Sequence, residues 1–97
     1  MYYTYALSSK IKNYIYVGTS DNPIRRISHH NKGYNRTTKS YRPFKTLLIK
    51  SFKTRIKARK HEKYLKSGSG KEYLKLLKSI SGYREKILNI MPGWRNW

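Results

Sequence analysis

The sequence predicts an α+β domain, and three observations predict it. Two tyrosine-rich segments near the start alternate as paired strands do, a third apolar segment lies mid-chain, and the remaining stretches show helical spacing with capping residues. Ninety-seven residues hold one small domain with a single modest core. Residues 1–80 are expected to form that domain, and residues 81–97 a C-terminal tail packed on it.

Tyr2 to Ser8 (YYTYALS) is rich in aromatic and β-branched residues and reads as the first strand, with Tyr3, Tyr5 and Leu7 on one face. A polar connection around Lys10 to Asn13 leads to a second strand, Tyr14 to Thr19, at a spacing that suits an antiparallel hairpin. Here Tyr14, Tyr16 and Gly18 share one face, and Ile15 and Val17 the other. Tyr5 and Tyr16 can therefore converge through their hydroxyls, although ordinary sheet aromatics make the same pattern. Ser20-Asp21-Asn22-Pro23 starts a helix, with Asp21 at the cap and proline in the first turn, where its missing N–H costs nothing. That helix runs to about Asn31 and stops before Gly33. Ile24 and Ile27 form its core-facing pair, and Arg26 and His30, at i,i+4, share a neighbouring edge. The edge suits a phosphate, and equally a solvated basic face.

Gly33 to Pro43 has no apolar periodicity and reads as a loop. It interleaves Tyr34 and Tyr41 with Arg36, Lys39 and Arg42, a mixture suited to stacking on bases and neutralising phosphates. Phe44 to Phe52 is the third strand. Its Leu47-Leu48-Ile49 run suggests burial on both faces and a place in the middle of the sheet. Thr54 then caps a helix to about Lys66, with Ala58, His61, Glu62 and Leu65 on one side. Ser67 to Gly70 reads as a hinge and lacks the strand and spacing of a phosphate loop. Lys71 to Ile80 is amphipathic, with Leu74, Leu77 and Ile80 as its buried face and Ser69-x-x-Glu72 as its capping box. Beyond Gly82 the spacing allows one or two further helical turns, then a Pro-Gly break and two tryptophans. These either pack across the domain or offer an aromatic edge to nucleic acid.

Composition points to the partner. Lys and Arg number 23 against 4 Asp and Glu, a formal charge of +19 that exceeds any need of solubility and repels itself in the folded state. A polyanion is the natural counterpart, and charge spread along the whole chain argues for a basic folded surface rather than a basic arm. No cysteine is present, which excludes disulfides and thiolate zinc sites. No long apolar run appears, so a soluble cytoplasmic protein, bacterial and intracellular, with no membrane association is expected. Of the four acids, Asp21 and Glu72 have capping duties and Glu85 lies in the tail between basic residues. Glu62 lies beside the apolar stripe of a helix. It reads as a surface ion pair with Arg59 or Lys66, or as a ligand for a hard divalent cation.

Together these segments resemble the GIY-YIG nuclease domain, in its short single-domain bacterial branch. The first motif matches Tyr3-Thr4-Tyr5 and the second Tyr16-Val17-Gly18. Arg25-Arg26-Ile27 with His30-Asn31-x-Gly33 matches the helix motif, and the run from Arg59 to Gly68 matches the glutamate helix. The resemblance covers roughly residues 2 to 80. It implies a three-stranded antiparallel sheet flanked by helices and hydrolysis of a DNA phosphodiester with one divalent metal, Mg²⁺ or Mn²⁺. Carried over by position, Glu62 holds the metal and Tyr5 is the general base for the attacking water. Tyr16 shapes the site and the proton path, Arg26 neutralises phosphate charge, and His30 moves protons or holds phosphate. Nearby metal and guanidinium charge are expected to lower the Tyr5 pKa from its usual value of about 10.

Some positions depart from the family pattern. Tyr3 replaces a glycine, Thr19 stands where repair-type members carry lysine, and the asparagine that many members place after the glutamate has no match.

The expectation is a metal-dependent DNA endonuclease, backbone- or structure-directed with low sequence selectivity, monomeric or a weak homodimer, acting in repair or recombination. Arg25, Arg36, Lys39, Tyr41 and Arg42 are its expected nucleic-acid contacts. The rival readings are a non-catalytic nucleic-acid-binding module on the same fold and a basic RNA-binding accessory protein.

Overall fold

The middle strand of the sheet is the first in the chain. β1 (Tyr2–Ser9) pairs antiparallel with β2 (Ile15–Ser20) on one side and with β3 (Phe44–Phe52) on the other. Three α-helices alternate with the strands in the order β1, β2, α1 (Pro23–Lys32), β3, α2 (Arg55–Leu65), α3 (Gly68–Ile90). The computed structural model describes the backbone of residues 1–90 and the side chains of residues 1–80. The architecture is the α+β arrangement expected from the sequence. No helix among the described residues is long and apolar enough to cross a membrane.

Pairing on both edges and cover on both faces bury β1 from Thr4 to Ser9. Its polar members are tolerated because they are satisfied: the Thr4 hydroxyl donates to the Ala58 carbonyl of α2 at 2.9 Å. The expected central place of the third strand is therefore corrected, since β3 lies at an edge. Its apolar run has another cause. Leu48 pairs with Ala6 and Thr46 with Leu7, so Leu47 is the extra residue of a β-bulge. Leu47 and Leu48 both pack on one core while Ile49 stays exposed.

Alternation along β1 gives the sheet two apolar faces. Ala6 and Val17 pack with Leu65 of α2 and Leu74 of α3. Tyr5, Leu7 and Phe44 form the other core, against Tyr14, Tyr16, Tyr41 and Ile27 of α1. Asn22, not Asp21, caps α1; its side chain accepts from the Arg25 N–H at 3.2 Å, with Pro23 next in the first helical position. Ile24 points to solvent, 70 % exposed, and the buried stripe is Pro23, Ile27 and His30 at i, i+4 and i+7. Gly33 ends the helix with φ of 80°, a left-handed conformation that glycine adopts without strain. The segment beyond it is not wholly irregular, because Lys39–Tyr41 forms a 3₁₀ turn.

The expected hinge between the last two helices is also corrected. Gly68–Gly70 is the first turn of α3, capped by the Ser67 hydroxyl on the Gly70 N–H, so the Ser69-Glu72 box is unused. Backbone crowding sets this register. A Cβ on Gly70 would lie 2.0 Å from the Tyr64 carbonyl oxygen and 2.4 Å from Leu65 Cα. Along α3, Leu74 is buried and Leu77 partly so, whereas Ile80 is 47 % exposed rather than part of the buried face. α3 runs past residue 80 to Ile90; the expected Pro-Gly break and tryptophans of the tail lie outside the described residues.

Gly70→Ala is expected to cost about 1–3 kcal/mol or more by overpacking, read as a lowered thermal midpoint. Gly68→Ala meets nothing within 4 Å and is expected to leave the midpoint unchanged or raised. Equal effects from the two would show that α2 and α3 do not cross at Gly70.

Candidate active site

Tyr5 sits at the centre of a polar cluster under α1. It is 1 % exposed, and its hydroxyl lies 3.2 Å from Nε2 of His30, itself buried. The register explains how it gets there. Tyr5 pairs with Gly18 across the hairpin, while Tyr16, diagonal to it, shares its face. A Cβ on Gly18 would come within 2.8 Å of the Tyr5 hydroxyl and 3.0 Å of the Tyr16 ring, so the hydroxyl occupies the space that glycine leaves. The Tyr16 ring is 4.6 Å from that of His30 and 6.1 Å from that of Tyr5, and Phe44 closes the cluster edge-on to His30.

Charge and hydrogen bonding fix the proton positions. Burial, then repulsion by Tyr16, pushes the Tyr5 pKa up to about 12, with Arg26 opposing the shift only in part. In the protein by itself, desolvation outweighs the one guanidinium; the expected lowering rests on a metal charge as well. Burial, then the charges of Arg26 and His29, lowers the His30 pKa from its usual 6.5, so the ring is neutral at pH 7. Because the Thr38 hydroxyl donates its one proton to the Asn35 carbonyl, it accepts from Nδ1, and Nε2 is left to accept from the Tyr5 hydroxyl. The imidazole proton then lies on Nδ1, which donates to the Thr38 hydroxyl at 2.8 Å. That hydroxyl has an acceptor of its own in the Asn35 carbonyl at 3.5 Å. The tautomer is assigned from this network.

Tyr5, Tyr16, His30 and, at the exposed rim, Arg26 are thus brought together. Glu62 is not part of that cluster. It lies on α2 between Ala58 and Leu65, whose packing puts this helix on the opposite face of the sheet from Tyr5. Its carboxylate pairs with Lys66 at 3.6 Å, an i,i+4 contact of modest strength. A groove of about 910 Å³ runs along β2, lined by Tyr16 and by Lys66, the partner of Glu62, and rimmed by Lys71, Lys75 and Lys78 of α3; Glu62 itself is not among its lining residues.

The other expected contacts divide. Arg25, Arg36 and Lys39 are exposed on α1 and the loop. Arg42 and Tyr41 are engaged with the protein itself. Arg42 donates to the Lys32 carbonyl at the end of α1, and Tyr41 stacks on Tyr14 with centroids 3.9 Å apart and Lys12 near its ring. Sequence reasoning missed Thr38, fully buried behind His30, and gave Asn31 a place in the helix motif but no role; its side chain accepts from the Phe44 N–H at 2.7 Å and ties α1 to β3. A threonine in a basic loop carries no signal for the first role.

Residues 1–75 match the model of the GIY-YIG catalytic domain. The chain belongs to the GIY-YIG family. This is a family of nucleases, and nucleic acid is accordingly the partner of a GIY-YIG chain with so positive a surface. No significant match joins this GIY-YIG chain to a curated protein or to a solved structure.

Thr38→Val keeps the shape but strands the Nδ1 proton of a buried ring, and is expected to cost about 1–3 kcal/mol in denaturant unfolding. Thr38→Ser should recover most of that loss. Equal stability of the valine and wild-type proteins would show that His30 does not donate to residue 38.

Proposed function

We propose that this protein is a metal-assisted endonuclease that hydrolyses DNA phosphodiesters, directed by backbone or structure and with low sequence selectivity. The observation that carries the reading is the buried Tyr5–His30 hydrogen bond with Arg26 at its rim, in a chain of the GIY-YIG family. The proton of the attacking water passes to Tyr5 as the Tyr5 hydroxyl gives its own to Nε2 of His30. Tyr5 then needs no ionisation beforehand, which a pKa of about 12 would make costly at neutral pH. Tyr16 lies beside this path, and the exposed Arg26 guanidinium can fork onto two phosphate oxygens.

Glu62 fits a hard divalent cation such as Mg²⁺ or Mn²⁺. It offers one partly exposed carboxylate beside Lys66, and no cluster of three His, Cys, Asp or Glu occurs among the described residues. Such a donor suits a cation that keeps most of its waters and takes oxygen from the substrate. When bound, the cation supplies Lewis-acid stabilisation of charge on the phosphate. The exposed Arg25, Arg36 and Lys39 and the lysine rim of the groove supply the electrostatic, salt-dependent part of binding.

Supercoiled plasmid and a flapped duplex, each with Mg²⁺, Mn²⁺ or chelator, test the reading directly. Metal-dependent nicking is expected, with a loss of about 100-fold or more in Glu62→Ala. Tight binding with no cutting of any substrate would leave a non-catalytic nucleic-acid-binding module.

The pH profile separates the proton routes. Protonated His30 cannot accept, and its pKa is lowered, so activity should fall only at pH below about 6.5. Between pH 7 and 9 the rate should be nearly flat. A tenfold rise per pH unit over that range would mean that pre-ionised Tyr5 is required and that His30 is not the acceptor.

A further inference from the structure

We propose that the cleft between α1 and the loop after it is a nucleotide subsite, holding the phosphate that adjoins the one bound at Arg26, with Tyr34 as a stacking surface for the base. The cleft has a volume of about 310 Å³ and is lined by Arg26, His29, His30, Tyr34, Asn35 and Arg36. Two guanidiniums, of Arg26 and Arg36, face it with no carboxylate among the lining residues, so its chemistry selects an anion. Its size is at the low end of ligand cavities, which suits one nucleotide rather than a base pair.

Arg26 and His30 belong both to this cleft and to the cluster around Tyr5, so a ligand here lies directly beside the phosphate that Arg26 would hold. Tyr34 is 68 % exposed, with its ring 5.2 Å from that of His29, and exposed aromatic faces beside cations are the usual platform for unstacked bases.

The walls are built rather than loose. The Tyr34 N–H donates to the His29 carbonyl at 3.1 Å, and the Asn35 carbonyl accepts from the N–H groups of Thr38 and Lys39 at 3.2 and 3.0 Å. Asn35 Oδ1 also accepts from the Thr37 N–H at 2.9 Å, so Arg36 rides on a turn fixed on both sides. The Thr38–His30 hydrogen bond joins that turn to the polar cluster.

That this phosphate adjoins a scissile one rests on the hydrolytic reading, but the binding chemistry requires only two phosphates one nucleoside apart. The test is calorimetric titration of the whole chain, in chelator, with thymidine 3′,5′-bisphosphate and with thymidine 5′-monophosphate. The bisphosphate is expected to bind about tenfold more tightly. Arg36→Ala should remove about that tenfold and leave the monophosphate within about twofold. Arg55→Ala, an exposed guanidinium at the start of α2, should change neither ligand. Tyr34→Ala should weaken the nucleoside bisphosphate and spare the abasic deoxyribose bisphosphate. Arg36 and Tyr34 are exposed, and an unchanged melting curve for each variant confirms that the fold is kept.

A bisphosphate no tighter than the monophosphate would overturn the subsite. So would equal losses for both ligands in Arg36→Ala and Arg55→Ala, the mark of diffuse charge. Arg36-dependent bisphosphate binding without plasmid nicking leaves the subsite standing and removes the nuclease reading. Nicking without that binding does the reverse.

Discussion

The arrangement depends on a buried phenol that has to keep its proton. Tyr5 lies in the middle strand, covered by α1 and flanked by Tyr16, and the cost of ionising it there exceeds what Arg26 returns. A neutral phenol in such a place needs a hydrogen-bond partner, and Nε2 of His30 supplies one. From that one hydrogen bond the rest follows in sequence. The imidazole must carry its proton on the far nitrogen, Thr38 must sit where that proton points, and the loop holding Thr38 must fold back against α1. Glycine at position 18 is part of the same constraint, because any side chain there would take the place of the Tyr5 hydroxyl.

This chain of donors joins the loop to the chemistry. A basic segment with tyrosines could be a passive patch that holds any polyanion. Here its turn is fixed by the Asn35 carbonyl and by His30, so its cations keep a fixed relation to Arg26. Electrostatic attraction from a +19 chain is unspecific and acts over a Debye length. Position within a few ångströms comes instead from neutral hydrogen bonds that salt does not screen.

The two faces of the sheet divide the work. The face toward α1 carries the tyrosines and the histidine; the face toward α2 and α3 carries an ordinary aliphatic core and, at its margin, Glu62. A carboxylate placed against Tyr5 would raise the phenol pKa still further and draw Arg26 away from phosphate. Keeping the acid across the sheet, paired with Lys66, avoids both effects.

Much of this was legible in the sequence, for identifiable reasons. Strand alternation put Tyr5, Tyr16 and Gly18 on one face, helical spacing put Arg26 and His30 on one helix, and Pro23 and Gly33 marked its ends, since each rests on local geometry. The motif order carried the family and the α+β fold. Only tertiary structure decided what depends on partners distant in sequence. Burial from both sides raised the Tyr5 pKa beyond what Arg26 alone offsets, and a bulge opposite Ala6 and Leu7 accounts for the apolar run of a strand that lies at an edge. His30 moved from the rim of the core-facing stripe into the core, and Ile24 from the core to solvent, because α1 turns its Pro23–Ile27–His30 stripe to the sheet. Backbone contact at Gly70 chose Ser67 over Ser69 as the cap of α3. Thr38 stayed unseen because its role comes only from a nitrogen eight residues away, brought to it by a loop that packing alone closes.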